Sequence, residues 1–288
     1  MSPNGEPQDQ QNVEKRATEP IASDNTLQSH TPALQPPTSS SRKSRIWSHL
    51  TADVRVSFLC EVELILLTFC TGLQDAISFP DFHCFASNQT GNTVFLALAL
   101  VFPEARGDMF ITANIGVALG FFLAGGWLTG QLGHIIGPRC RLWLIISNFV
   151  QSCLVFAAAG IQYKHGADLK GGTTLYVIGL LAFASGSQVV QSRSLAMTEI
   201  STAMATAAWV DLLIDPNLFS IHRNRPRERR VAFLVALFVG SIVGVLIFRS
   251  AGSATAVVVS ASGKLLVALM YFFNQSEKPK DKSAEAAV

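Results

Sequence analysis

Charge is scarce in this chain. Only 15% of its 288 residues are Asp, Glu, Lys or Arg, against 49% hydrophobic ones. Aromatic residues are absent from residues 1–46, which hold six of the twelve prolines. Such a segment cannot bury enough apolar surface to offset its chain entropy, so residues 1–50 are expected to form a disordered tail. No apolar run follows the first residues, so no signal peptide is expected. The five cysteines (Cys60, Cys70, Cys84, Cys140, Cys153) are scattered without a CxxC and read as small packing residues. None of the six histidines lies within an apolar run, and no pair has metal-ligand spacing. No metal site and no cofactor are therefore expected. There is no P-loop, which argues against ATP-driven pumping by this chain alone. Nor is there a nucleophile with its base within the runs, so catalysis ranks low. No nucleic-acid partner is expected.

Long apolar stretches fill the remainder. Eight runs are found, at about 56–79, 88–103, 109–132, 141–161, 173–191, 198–214, 231–249 and 254–273. Most approach the roughly 20 residues a helix needs to cross the hydrocarbon layer. The expected fold is all-α: a polytopic transmembrane helical bundle with six to eight membrane segments over residues 51–274, followed by a polar tail at 275–288. Lys and Arg cluster before the first run, between runs six and seven, and after run eight. The positive-inside rule places all three clusters, and both termini, in the cytosol. Eight full spans satisfy that rule. So do six spans with the short runs two and six as half-helices. No organelle is indicated, though the plasma membrane is favoured. The basic connection holding Arg223, Arg225, Arg227, Arg229 and Arg230 reads first as a topology anchor and second as a contact for anionic lipid. Sequons at Asn88 and Asn274 are expected to stay unmodified.

The chain also repeats itself. "TFCTGLQDAIS" (68–78) has a counterpart in "AFASGSQVVQS" (182–192). Phe69, Gly72, Gln74 and Ser78 align with Phe183, Gly186, Gln188 and Ser192. Gly116 and Gly120 of run three match Gly240 and Gly244 of run seven in the same order, so the expected halves span about 54–161 and 173–274. Half-crossing short runs would make the repeats inverted, and full crossing would make them parallel. Small residues at every fourth position form flat helix faces for close packing. The symmetric expectation is that runs three and seven cross each other.

Polar residues in the first two runs carry the functional expectation. Run one ends in Gln74, Asp75 and Ser78, and Pro80 is expected to stop it. Asn88 then caps a short helix with Thr90 and Asn92 in its first turn. A helix starting inside a membrane presents an electropositive end, and an intramembrane carboxylate is expensive. Asp75 either satisfies that helix end or belongs to a solute or proton site. Lys264, near the middle of run eight, needs a partner, with Asp75 the first choice ahead of Asp211, Glu63 and Glu199. Asn148 and Gln151 share one helix face and read as interhelical hydrogen-bonding groups.

The elements "GLQDAISF" and "NQTGNTVFLALAL", followed by a glycine-rich run, resemble the YoaK family of integral membrane proteins, a family of unknown function found in bacteria and fungi. The resemblance covers about residues 55–272 through Gly72, Asp75, Ala76, Ser78, Thr90, Gly91 and Asn92, and the form with Gln74 is most similar to fungal members. It implies membership and no substrate. The repeat departs from the motif at Val189, where an acid would stand. The leading expectation is a secondary transporter of a small solute. The alternative is a non-catalytic accessory or scaffold protein, with a membrane enzyme ranked below both.

Overall fold

A computed structural model describes residues 42–102, 111–220 and 222–277. Most of the expected polar tails, residues 1–41 and 278–288, lie outside the described residues. Where the sequence places the end of the N-terminal tail, Arg42–Thr51 forms helix α1. Eight more α-helices follow: α2 (Phe58–Phe82), α3 (Gln89–Val101), α4 (Thr112–Ile136), α5 (Arg141–His165), α6 (Gly172–Ser194), α7 (Ala205–Leu213), α8 (Arg225–Ala251) and α9 (Ser253–Met270). No strand occurs among the described residues beyond two isolated bridges.

Among the described residues, six helices are long and apolar enough to cross a membrane: α2, α4, α5, α6, α8, and α9 with its 3₁₀ extension to Phe273. The protein is therefore a multi-pass integral membrane protein. Runs two and six become short helices. At 1.5 Å per residue, the 13 residues of α3 cover about 20 Å and the 9 of α7 about 14 Å, short of a ~30 Å core. Pro80 does not end α2. The helix continues to Phe82 and closes at left-handed His83 (φ 54°), whose N–H donates to the Phe79 carbonyl.

Cross-helix bonds fix the direction of each span. At the end carrying α1, called proximal, Arg229 pairs with Glu61 at 2.6 Å, and Asn274 donates to both Glu63 carboxylate oxygens at 3.0 and 2.9 Å. Buried Arg141 there donates to the carbonyls of His49 and Asn274, joining α1, α5 and the C-terminal segment. At the distal end, Ser253 donates to Asp81, and Asn114 donates to the Phe82 and Leu169 carbonyls. Thus α2, α5 and α8 run proximal to distal, and α4, α6 and α9 run back. Asn274 is itself a buried residue.

The closest packing joins α2 to α8 and α4 to α6, with α5 against α9 between them. Both tight pairs are built on glycine in the same reciprocal way. Gly72 lies against the Leu237 carbonyl, and Gly240, three residues after Leu237, lies against the Phe69 carbonyl. Gly186 lies against the Phe122 carbonyl, and Gly125, three residues after Phe122, lies against that of Phe183. A Cβ at any of the four would collide with backbone. Gly244 adds a further contact with the Leu73 carbonyl, 2.8 Å from a Cβ built there. This corrects the reading of run three. Gly116 and Gly120 are exposed, and a Cβ on either meets nothing within 4 Å. The face of α4 that packs is Asn114, Ile115, Ala118, Gly125 and Thr129. The main partner of α4 is α6 and that of α8 is α2, so runs three and seven do not form the expected central crossing.

Gly240→Ala and Gly186→Ala should each destabilise the protein by about 1–3 kcal/mol through overpacking. Gly116→Ala and Gly120→Ala should be neutral or slightly stabilising, because alanine is the better helix former. Thermal unfolding of the four variants in detergent checks this ordering.

Candidate functional site

Helix α2 delivers Asp75 about 10 Å inside the distal end, two turns before its C-terminus. The link 83–88 then folds back into the bundle. Its Ser87 donates to Asp75 from the backbone N–H (2.9 Å to Oδ1) and from the hydroxyl (2.5 Å to Oδ2). The Ser78 hydroxyl accepts from the Ala86 N–H at 3.2 Å. Asn92, fully buried, clamps Phe85 by accepting from its N–H at 2.9 Å and donating to its carbonyl at 2.8 Å. Asn88 caps α3 as expected, accepting from the Gly91 N–H at 3.3 Å. Helix α3 therefore starts inside the bundle with Asp75 at its N-terminal end, where a carboxylate suits the helix dipole.

Asp75 remains partly exposed because it opens onto a cavity of about 910 Å³. The entrance to α3 (Ser87 to Gly91) forms one side, and the start of α7 (Ala203 to Ala207) forms another. Phe122 of α4, Leu237 of α8 and Val189 of α6 complete the wall. The sequence register that aligns Gln74 with Gln188 aligns Asp75 with Val189, and both line this space. The two ends differ chemically. Where α3 has a carboxylate and an asparagine cap, α7 has Met204 as N-cap with no side-chain capping bond. The second acid of the lining, Asp211, lies 3.6 Å from Arg230 of α8.

Of the residues singled out in the sequence, Asp75, Asn88 and Thr90 line the cavity. Gln74, Ser78, Asn92 and Lys264 do not. Gln74 donates to Ser260 at 2.7 Å, while Ser78 and Asn92 hold the link. Lys264 is fully buried, and its partner is the Gln188 side-chain oxygen rather than Asp75. Gln188 in turn donates to Thr71 at 2.8 Å. The expected pairing fails because Lys264 packs on the opposite, interior side of α2, near Cys70. Phe122, Leu237 and the side chains at the α7 entrance are not singled out by the sequence; its one signal for them is run six, short like run two, which marks a second short helix. Cys84 of the link is buried and free of any disulfide.

The arginine-rich connection is largely self-contained. Arg229 bridges Glu61 and Glu199, Arg230 faces Asp211 and Asp215, and Arg227 donates to carbonyls of Asn217, Leu218, Ser220 and His222. Arg223, beside Glu228, stays open to the surroundings.

No curated protein and no solved structure matches the chain. Residues 64–270 match the family described as protein of unknown function (DUF1275). That match takes in most of α2, the other spanning helices through Met270, both short helices and the cavity between them, and the chain belongs to this family.

Proposed function

We propose that the protein is a secondary transporter or permease for a small solute, with its pathway through the cavity at Asp75. The carrying observation is that two short helices begin inside the bundle and face one solvent-sized space. Discontinuous helices starting near the bilayer midplane are a recurrent device for solute binding in transporters. A solid scaffold would need no such space, and Asp75 would then be closed in by its Ser87 bonds alone.

The reading extends to duplication. The α2–α8 and α6–α4 pairs use the same reciprocal glycine contacts, and α2, α4 and α5 run opposite to α6, α8 and α9 respectively. These features support two inverted halves meeting at the cavity. The basic residues before α2 and in front of α8 support cytosolic termini, and exposed Arg223 and Arg225 remain the lipid-contact candidates of their cluster. The Gln74-containing motif supports a fungal YoaK-type member. A proton on Asp75 is the coupling ion we favour.

An Asp75→Cys variant, in a background without the five native cysteines, should react with a membrane-impermeant thiol reagent applied from one side only. Absence of labelling from either side in a correctly folded variant would remove the aqueous pathway and favour a scaffold. Once a solute is found, Asp75→Asn should reduce proton-coupled uptake at least about tenfold while exchange of solute persists. Unchanged coupled uptake would remove Asp75 from the mechanism. Reconstituted vesicles with an imposed pH gradient provide that measurement.

A further inference from the structure

A second, unrelated cavity opens sideways between α4, α5 and α6. It holds about 170 Å³ and runs along α5 from Trp143 to Leu154, about 16 Å. Helices α4 and α5 are consecutive yet touch each other far less than α4 touches α6 or α5 touches α9, which leaves the fissure. Its walls are Leu128, Leu132, Trp143, Ile146, Val150 and Leu154. Ile146 and Val150 are each 46% exposed and Leu128 is 41% exposed on the outer surface of the bundle. That surface belongs to spanning helices, so the fissure faces hydrocarbon.

Beneath this apolar lining lie four polar side chains, Thr129, Ser147, Gln151 and Ser187, and Gln151 is 1% exposed. A directional chain of bonds fixes the Gln151 amide. Gln191 donates to the Leu144 carbonyl at 3.0 Å, so its oxygen faces Gln151, which donates to it at 3.0 Å and to Ser147 Oγ at 3.2 Å. The Gln151 side-chain oxygen is thereby left buried without a donor. Ser147 accepts from Gln151, and its own hydroxyl proton has no acceptor among the described residues. In hydrocarbon no bulk water meets these needs.

We propose that this fissure binds a lipophilic alcohol dissolved in the bilayer. One hydroxyl donates to the Gln151 oxygen and accepts from Ser147, while the carbon skeleton lies along Leu128, Ile146 and Val150. No ionisable residue lines the fissure, so a charged headgroup would go uncompensated there. A ketone or an ether lacks the donor that Gln151 requires. The fissure is separate from the Asp75 cavity, sharing no lining residue with it.

The test uses the full chain in nanodiscs, photolabelled with a dodecanol carrying a terminal diazirine, with adducts mapped by mass spectrometry. Adducts should fall on the segments 128–132 and 146–154. Unlabelled dodecanol should suppress them at about tenfold lower concentration than dodecyl methyl ether, which keeps the chain and loses the donor. Gln151→Leu should make the two competitors equal, and Val150→Trp should abolish fissure labelling without altering the polar side chains beneath. Adducts spread over all the outward faces, or equal competition by alcohol and ether on the unaltered protein, would overturn the proposal. Should Gln151→Leu fail to fold, the comparison on the unaltered protein and Val150→Trp still decide it.

Discussion

Backbone-to-backbone contact at four glycines is the constraint on which the bundle depends. Within a bilayer, lipid tails are as apolar as leucine, so burial of apolar side chains gives little drive for helices to associate. Close approach supplies it instead through dispersion and carbonyl contacts. Gly72 against Leu237 and Gly240 against Phe69 bring α2 and α8 together, and Gly186 against Phe122 and Gly125 against Phe183 do the same for α6 and α4. The carbonyls at those crossings belong to Phe69, Phe183, Phe122 and Leu237, which meet the glycines through backbone atoms. Two of them, Phe122 and Leu237, wall the cavity. The packing that closes the bundle thus also shapes the space left within it.

That space exists because two segments do not cross. Every backbone group in the hydrocarbon region needs an internal partner, and a helix that starts there leaves free N–H groups at its first turn. The link before α3 meets the demand by borrowing side chains: Asp75 for Ser87, Ser78 for Ala86, Asn92 for Phe85, Asn88 for Gly91. The polar content of "TGLQDAISFPDFHCFASNQTGNT" therefore has a structural cause in most of its members. Within this stretch, Asp75 and the segment Ser87 to Gly91 also face the cavity.

This division shows what was legible in the sequence. Composition and run length disclosed the class of fold, and the Asn88 cap disclosed where α3 begins, since both follow from local chemistry. Three-dimensional partners were not legible. Gly116, Gly120 and Ala124 have the same spacing as Ala236, Gly240 and Gly244, but a helix face is defined by what lies opposite, and α4 turns Gly125 inward instead. Lys264 was assigned to the nearest conspicuous acid because opposite charge is what a sequence displays. The chain holds it with an amide, Gln188, which a neutral residue count does not flag. Pro80 was read as a stop, yet α2 carries it in its last turn, three residues before left-handed His83.

On the duplicated reading, the most informative residue is the one that breaks the symmetry. Asp75 and Val189 occupy matching positions beside matching helix starts. At α3 the carboxylate bridges to Ser87 and balances the helix end. At α7 a branched apolar side chain stands in its place, Met204 provides no side-chain cap, and the first-turn groups face the cavity. The two entrances thus differ at the helix start itself, where only α3 has a carboxylate beside its first turn. A pathway between them would be electrostatically polarised, favouring a proton or cationic group at Asp75 and an electron-rich group near α7. Replacing Val189 by an acid would make the two sides alike, so the asymmetry itself is the feature through which this cavity would distinguish one end of a solute from the other.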